Sequence, residues 1–354
     1  VGGRALRLRA RYVLAGGLEV IENGVVEIDD RGVVVGVGKH AGGTAADLGN
    51  IVLMPQLVNG HVHVLDAAMA DADGMYIDDL VGWPHGVKYH VVRRLVSRQG
   101  HLRLLDAVAR RMRRYGTGCA LVYAEYAARD VEEALRRHGI EAVVFQEAHG
   151  GFPDYPNVQV ASPLDHPPEY LRQLRARYAL ASTHVSETPE CHEEGDLELA
   201  LRVLDADVLV HLTYITPEEA LEIPRGKVVV VNPRANAYLA GRVAPVPLLL
   251  HLKPLLGTDN VFVNEPDLWS EMKFLHAYAA AAGWNLGERE VLAMATVWNW
   301  EMVRCAPPIE PGNRLRALAV AAPYAGGNVL KYLVRRATHA DIVAFIEGSE
   351  IVPA

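Results

Sequence analysis

Cysteine, lysine and long apolar runs are scarce in this chain, and each scarcity removes a class of answer. The three cysteines, Cys119, Cys191 and Cys305, are far apart and form no CxxC pair. This argues against a disulfide framework or a thiolate zinc site and fits a reducing compartment. No segment approaches the roughly 20 apolar residues that a membrane span needs; residues 246–256 come near but are interrupted by His251 and Lys253. The first eleven residues alternate apolar side chains with Arg4, Arg7, Arg9 and Arg11. They lack the continuous apolar core of a secretory leader, so the expected location is cytoplasmic. A basic surplus is missing too: the net charge is -8, so neither nucleic acid nor an anionic membrane is an expected partner. The arginine clusters at 110–114 and 136–137 fall where helices are expected and are read as solvated faces.

What is present is enough apolar material for a sizeable core, since half of the 354 residues are hydrophobic. The opening residues read as short strands over 5–14, 18–28 and 33–37, separated by glycine and aspartate turns. From residue 51 the rhythm changes. Apolar runs at 52–63, 119–125, 142–147, 158–161, 179–184, 208–211, 228–231 and 256–259 alternate with helical periods at 102–115, 131–138, 168–178, 197–204, 217–223 and 268–281. Eight such runs, continuous rather than alternating, suit parallel strands covered on both sides, and the expected fold is α/β, a (β/α)8 TIM barrel. After residue 307 the pattern returns to strands over 315–321 and 341–346 with a helix over 328–336. The expected domains are therefore a composite β-sandwich from 1–51 and 308–354, and a barrel from 52–307.

At the end of the first barrel run stand His61 and His63. Residues at i and i+2 of a strand share a face, so both imidazoles project toward the barrel mouth and make half a metal site. Pro55, Gln56, Asn59 and Gly60 surround them. Further along come Thr183-His184-Val185-Ser186-Glu187-Thr188, Val210-His211 ahead of Thr216-Pro217-Glu218-Glu219, Asn232-Pro233-Arg234-Ala235-Asn236, and Leu256-Gly257-Thr258-Asp259.

These phrases, in this order and at strand ends, resemble the amidohydrolase superfamily, in particular its cytosine, guanine and adenosylhomocysteine deaminase-like, chlorohydrolase-related branch. The likeness runs from about residue 24 to the carboxyl terminus. It departs from the usual pattern at Gln56, where glycine is common, and at Asn232 and Ala235, where cysteine and serine are common. The resemblance implies that His61, His63, His184 and Asp259 hold one divalent metal per chain, Zn²⁺ in preference to Fe²⁺. It implies further that Glu187 shuttles a proton, that His211 polarises the reacting group of the substrate, and that Asp259 takes a second proton from the water. Binuclear relatives place a lysine at the end of strand four. The six lysines, at 39, 88, 227, 253, 273 and 331, are all remote in sequence from that strand, so one metal is expected.

The implied activity is hydrolytic deamination of an amino-substituted heterocycle or nucleoside-like small molecule by metal-activated water. Cyclic amide hydrolysis or a chlorohydrolase-type reaction is the alternative, and a non-catalytic barrel that only binds is a further one. Fold and metal set do not separate the first two. A homo-oligomer is compatible with the sequence. Glu125 and Glu147 fall at strand ends and read equally as site groups or buried ion-pair partners. Residues 83–88, with His85, form a loop that could cap the site. His149 and His192 read as solvated loop histidines, and Asn264, Pro266 and Asp267 as loop-shaping and capping residues.

Overall fold

In a computed structural model the chain is described over residues 6–39, 41–69, 76–323 and 326–354. The first five residues of the arginine-rich opening and the start of the strand expected at 5–14 therefore lie outside the described residues. The structure is α/β. Nine short strands form one sheet: β1 (Leu57–His63), β2 (Thr117–Ala124), β3 (Glu141–Glu147), β4 (Asn157–Val160), β5 (Leu180–Val185), β6 (Val208–His211), β7 (Val228–Val231), β8 (Leu255–Leu256) and β9 (Asp259–Asn260). Their order is β8-β7-β6-β5-β4-β3-β2-β1-β9, and the registers from β3 through β8, and of β9 with β1, run parallel. One stretch, residues 255–260, thus pairs with β7 through its first half and with β1 through its second. The expected run at 256–259 is split because Gly257 and Thr258 turn aside at the crossing. A Cβ at Gly257 would stand 2.8 Å from the His61 backbone nitrogen, so only glycine lets the two strands approach this closely.

Helices return the chain between strands and show why the periodic segments fold as they do. In His101–Arg114, Leu105, Val108, Ala109 and Met112 recur at helical spacing and are buried, packed with Val122, Val131 and Leu135 in one apolar cluster. Arg110, Arg111 and Arg114 lie on the exposed face, as do Arg136 and Arg137 of helix Ala128–Arg137. Helix Pro217–Glu222 starts on a reciprocal cap: Thr216 Oγ1 accepts from the Glu219 amide and Glu219 accepts from the Thr216 amide.

The termini build a second, mixed sheet. Strand Leu6–Ala15 pairs antiparallel with Glu19–Ile28 and parallel with Ile51–Pro55. The latter pairs antiparallel with Arg316–Ala321, itself beside Ile342–Glu347. The run expected as one strand over 52–63 is therefore two. Ile51–Pro55 belongs to the terminal sheet, Leu57–His63 to the parallel one, and Gln56 lies between them. The unbroken apolar sequence hides this break. Gln56 occupies the place of a common glycine because its side chain fills the space over Gly118 and donates to Glu347 Oε1 at 2.8 Å.

Contacts divide the chain into two compact units, one of residues 1–58, 113–119 and 272–354, the other of residues 59–112 and 120–271. In the first, Cys119 and Cys305 are disulfide-bonded with Cα atoms 5.6 Å apart. The sequence reading had argued against a disulfide framework. A separation of 186 residues carries no local signal, and only the fold brings the two together. Among the described residues no helix is long and apolar enough to cross a membrane.

Candidate metal centre

The second unit holds all the site residues singled out in the sequence. His61 and His63 leave the end of β1 on one face, and the β1–β9 register sets Asp259 opposite Val62, between them. Asp259 Oδ1 is 3.1 Å from His61 Nε2 and 3.8 Å from His63 Nε2. His184, from β5, places its ring centroid 5.1 Å from that of His61 and 5.5 Å from that of His63. His211, from β6, joins them at 5.2 Å from His184. Two overlapping triplets, His61-His63-His184 and His61-His211-Asp259, each bring their ligand atoms within 4.8 Å of one another.

Burial pushes all four imidazoles well below their ordinary pKa. Lys88 adds to this at His61 and His63, and neighbouring histidines add to it at His184 and His211. Neutral rings with free lone pairs are the form that binds metal. The fit to a metal shows in atoms left over: His61 Nδ1 and Asp259 Oδ2 are buried with no hydrogen-bond partner. Three nitrogens and one carboxylate suit a borderline divalent ion such as zinc, whereas Mg²⁺ and Ca²⁺ prefer oxygen shells.

The outer nitrogens of the rings are tied down. His63 Nδ1 donates to Glu125 Oε1 at 2.7 Å, and His184 Nδ1 donates to the Ala161 carbonyl at 2.7 Å. Each leaves Nε2 facing inward. Asn236 and Asn232 donate to His211 Nδ1 at 2.8 and 3.3 Å. The proton of His211 is then on Nε2, which lies 3.4 Å from Glu187 Oε2. Thr188 caps the helix that follows Glu187 by accepting from the Cys191 amide, and this anchors the glutamate's backbone. Burial, with help from Asp259, raises the Glu187 pKa to about 8.

Of the residues left open in sequence, Glu125 is both a site group and an ion-pair partner. Besides holding His63, it lies 3.3 Å from Lys88 Nζ. Lys88, on helix Val87–Ser97, is 3% exposed and lines the cavity at the site. The sequence places Lys88 in the 83–88 segment that could cap the site but gives no sign of its pairing with Glu125. Burial works against the charge of Lys88, but Glu125, Glu147, Asp66 and Asp259 outweigh it and hold the pKa above the ordinary value. Asp66 was not singled out in the sequence. It accepts from Asn260 Nδ2 at 2.7 Å and from the Val261 amide at 2.9 Å, bracing the segment that carries Asp259.

Glu147 accepts from Gln159 at 2.9 Å and has its pKa raised by burial. His149 is no free loop histidine: it receives the Trp83 indole proton at 3.1 Å and donates to the Glu125 carbonyl at 2.6 Å, fastening the 83–88 loop. His85 is exposed and lines the cavity. His192 lies 3.1 Å from Ser186 Oγ. Asp267 accepts from the Trp269 amide and the Ser270 hydroxyl, as a capping residue does. The cavity measures about 510 Å³ and is lined by His63, His184, Glu187, His211 and Asp259.

The chain matches curated relatives along most of its length. It is 29% identical over 319 residues, 78% of this chain and 79% of the relative, to a Methanothermobacter thermautotrophicus protein carrying an aminohydrolase name. It is 29% identical over 354 aligned positions, 85% of this chain and 78% of the relative, to a 5-methylthioadenosine/S-adenosylhomocysteine deaminase of Desulfovibrio desulfuricans. The chain is thus similar to proteins named as aminohydrolases and adenosyl-compound deaminases. In fold, the chain superposes on a zinc-bound adenosine deaminase of Xanthomonas campestris with a TM-score of 0.80 at 20% identity, covering 98% of this chain and 92% of that one. No family model matches the sequence.

Proposed function

We propose that the protein is a metal-dependent deaminase that hydrolyses the exocyclic amine of an aminated heterocycle or nucleoside-like compound. The observation that carries this reading is the meeting in one cavity of the His61-His63-His184-Asp259 set with two groups outside it, Glu187 and His211, 3.4 Å apart. A non-catalytic barrel has no use for a buried carboxyl beside a tautomer-fixed imidazole. The relatives named for aminohydrolase and adenosyl-compound deaminase activity support the same reading.

In this proposal His61, His63, His184 and Asp259 hold one Zn²⁺ per chain. When bound, the ion lowers the pKa of a water toward about 7 and polarises the reacting carbon's substituents. Glu187 takes a proton from that water and delivers it to a ring nitrogen, a task suited to a carboxyl whose pKa lies at about 8. His211, with its proton on Nε2, donates toward the group developing at the attacked carbon. Asp259 would accept the second proton and pass it to the exocyclic nitrogen, so that the C–N bond breaks with ammonia as the leaving group.

We also read the parallel sheet as a closed (β/α)8 barrel, since residues 255–260 pair with both β7 and β1. Its domains would be 1–51 with 308–354 as a composite β-sandwich, and 52–307 as the barrel. A cytoplasmic location fits the composition; the Cys119–Cys305 bond is buried, at 0% and 4% exposure, which limits thiol access. The test is elemental analysis paired with ammonia release over purines, pyrimidines, pterins and adenosyl thioethers. About one zinc per chain and turnover of at least one aminated ring are expected. Two metals per chain, or metal without turnover of any member, would overturn the reading.

A further inference from the structure

We infer that the cavity over the metal centre excludes anions: it admits an aminated ring whose other substituent is neutral or cationic and discriminates against a carboxylate or phosphate at that position. This rests on the deaminase reading for the ring and goes beyond it for the rest of the substrate. What makes the cavity a ligand site is its floor, where Asp259 is 2% exposed with Oδ2 unpartnered. The walls then set the sign of its charge. Asp78, Asp79, Asp165, Glu190, Glu194 and Asp196 line it. The one lysine or arginine among the described lining residues is Lys88, already 3.3 Å from Glu125.

The same bias is written in the sequence. Residues 64–87, 156–171 and 185–201, which contain these wall positions, hold no lysine or arginine at all. Of the neighbouring loop arginines, Arg129 is paired with Asp154 and Arg234 with Glu271. Asp165 has its pKa raised to about 6, chiefly by burial, with Asp78 adding a smaller push in the same direction. Field lines are focused in such a cleft, so a carboxylate or phosphate held against these walls, away from the metal centre, meets repulsion and finds only the already paired Lys88 as a counter-charge, while an amine finds acceptors on several sides. The D. desulfuricans relative is named for two substrates, 5-methylthioadenosine and S-adenosylhomocysteine. The second carries a zwitterionic amino acid tail, whose carboxylate these walls repel and whose ammonium they accept, so a phosphate is the cleaner probe of sign.

Two measurements test this separately from the deaminase reading. At pH 8, ammonia release by the zinc-loaded protein is compared for adenosine, 5′-methylthioadenosine, 5′-amino-5′-deoxyadenosine, S-adenosylhomocysteine and adenosine 5′-monophosphate. We expect kcat/KM for the monophosphate about 100-fold below that for adenosine, and a value for the amine that falls with added salt. The variant D78N/D79N/E190Q should narrow the monophosphate gap about tenfold. A monophosphate turned over as readily as adenosine, or a gap unmoved in the folded variant, overturns the inference and leaves the deaminase reading intact.

If no member of the panel is turned over, the deaminase reading fails instead, and collisional quenching decides the charge. Trp83 lines the cavity and is half-buried, so its fluorescence, isolated as the difference from W83F, is titrated with caesium and with iodide against free N-acetyltryptophanamide. Caesium should quench several-fold more than iodide after that normalisation. Equal or stronger iodide quenching would overturn the inference.

Discussion

At the ends of the parallel strands Ser186, His211 and Asp259 adopt φ of 49°, 80° and 62°, and His61 Nδ1, Glu125 Oε2 and Asp259 Oδ2 are buried without partners. The unit that contains the terminal sheet treats its polar groups otherwise. There Gln56, Arg113 and Arg316 converge on Glu347, at 2.8, 2.8 and 3.1 Å. Despite its burial, Glu347 has its pKa held below the ordinary value by Arg316, Gln56 and Arg113. The positive-φ non-glycine residues of this unit, Leu18, Asn23, Asn299, Arg304 and Ala306, include none of the candidate site groups. Non-glycine residues in the left-handed region cost of order 1 kcal/mol each, and unpaired buried polar atoms cost more. At the strand ends these costs fall on the candidate site residues themselves, whereas in the other unit they fall on residues away from that site; what distinguishes the two regions is where the strain sits and how the buried charges are paired.

The largest effect is expected from breaking the strand-end cluster in two different ways. Glu187→Gln leaves every proposed ligand in place, so metal content should stay near that of the parent while the rate falls about 10²–10⁴-fold. His184→Ala removes a ligand and should leave the protein metal-poor as well as inactive. Metal analysis beside ammonia release separates the two variants, and a Glu187→Gln protein working at the parental rate would remove that residue from the mechanism.

On the other side of the comparison, the Cys119–Cys305 bond closes a long loop within the unit that holds the terminal sheet. Reducing it, or replacing both cysteines by alanine, should lower stability by about 2–5 kcal/mol, read as a drop in the denaturant midpoint. Folded protein should keep its metal, because neither cysteine belongs to the ligand set. A midpoint indifferent to reductant would show that the bond contributes nothing in solution.

A smaller effect should follow from loosening the groups behind the ligands. Glu125→Gln weakens the acceptor that orients His63 and leaves Lys88 without its nearest counter-charge. Zinc affinity, measured by chelator competition, should fall about 10–100-fold. Adding Lys88→Met removes the stranded buried charge and should recover thermal stability but not affinity. Recovery of both would mean that Glu125 acts on the fold alone and does not position His63.

Much of this was legible in the chain because the informative signals are local. The HxH at 61–63 sits on one strand face, the runs 208–211 and 228–231 coincide with β6 and β7, and the arginines at 110, 111, 136 and 137 follow helical periodicity onto exposed faces. The misses are non-local. Lys88 reaches Glu125 from a different loop, Asp66 braces a strand end nearly two hundred residues away, and Cys119 meets Cys305 only through the fold. Where two elements abut without a turn residue, as at Gln56, apolar content alone conceals the break. His149 read as solvated because its partners, Trp83 and the Glu125 carbonyl, lie on other strand-end loops.

The smallest effect sharpens the comparison by asking whether the second unit carries a stability cost that varies with pH. Glu271 is fully buried; Arg234 donates to it from Nε at 2.7 Å and from its backbone amide at 3.2 Å. Burial raises its pKa from the ordinary 4.5 to about 7, although the arginine works in the opposite direction. A carboxyl whose folded pKa exceeds its unfolded one binds the proton more tightly in the native state. Its contribution is therefore fully present below about pH 4.5 and is lost as pH rises toward and through 7. The denaturant midpoint should decline across that window by an amount on the order of 1 kcal/mol. Glu271→Gln, which cannot titrate, should flatten the decline while Glu347→Gln, in the other unit, should not. Glu347 is the contrasting case, since its lowered pKa makes its contribution present above about 4.5 and lost as pH falls. A slope between pH 5 and 7.5 unchanged by Glu271→Gln would show that Arg234 keeps the carboxylate ionised in the native protein throughout.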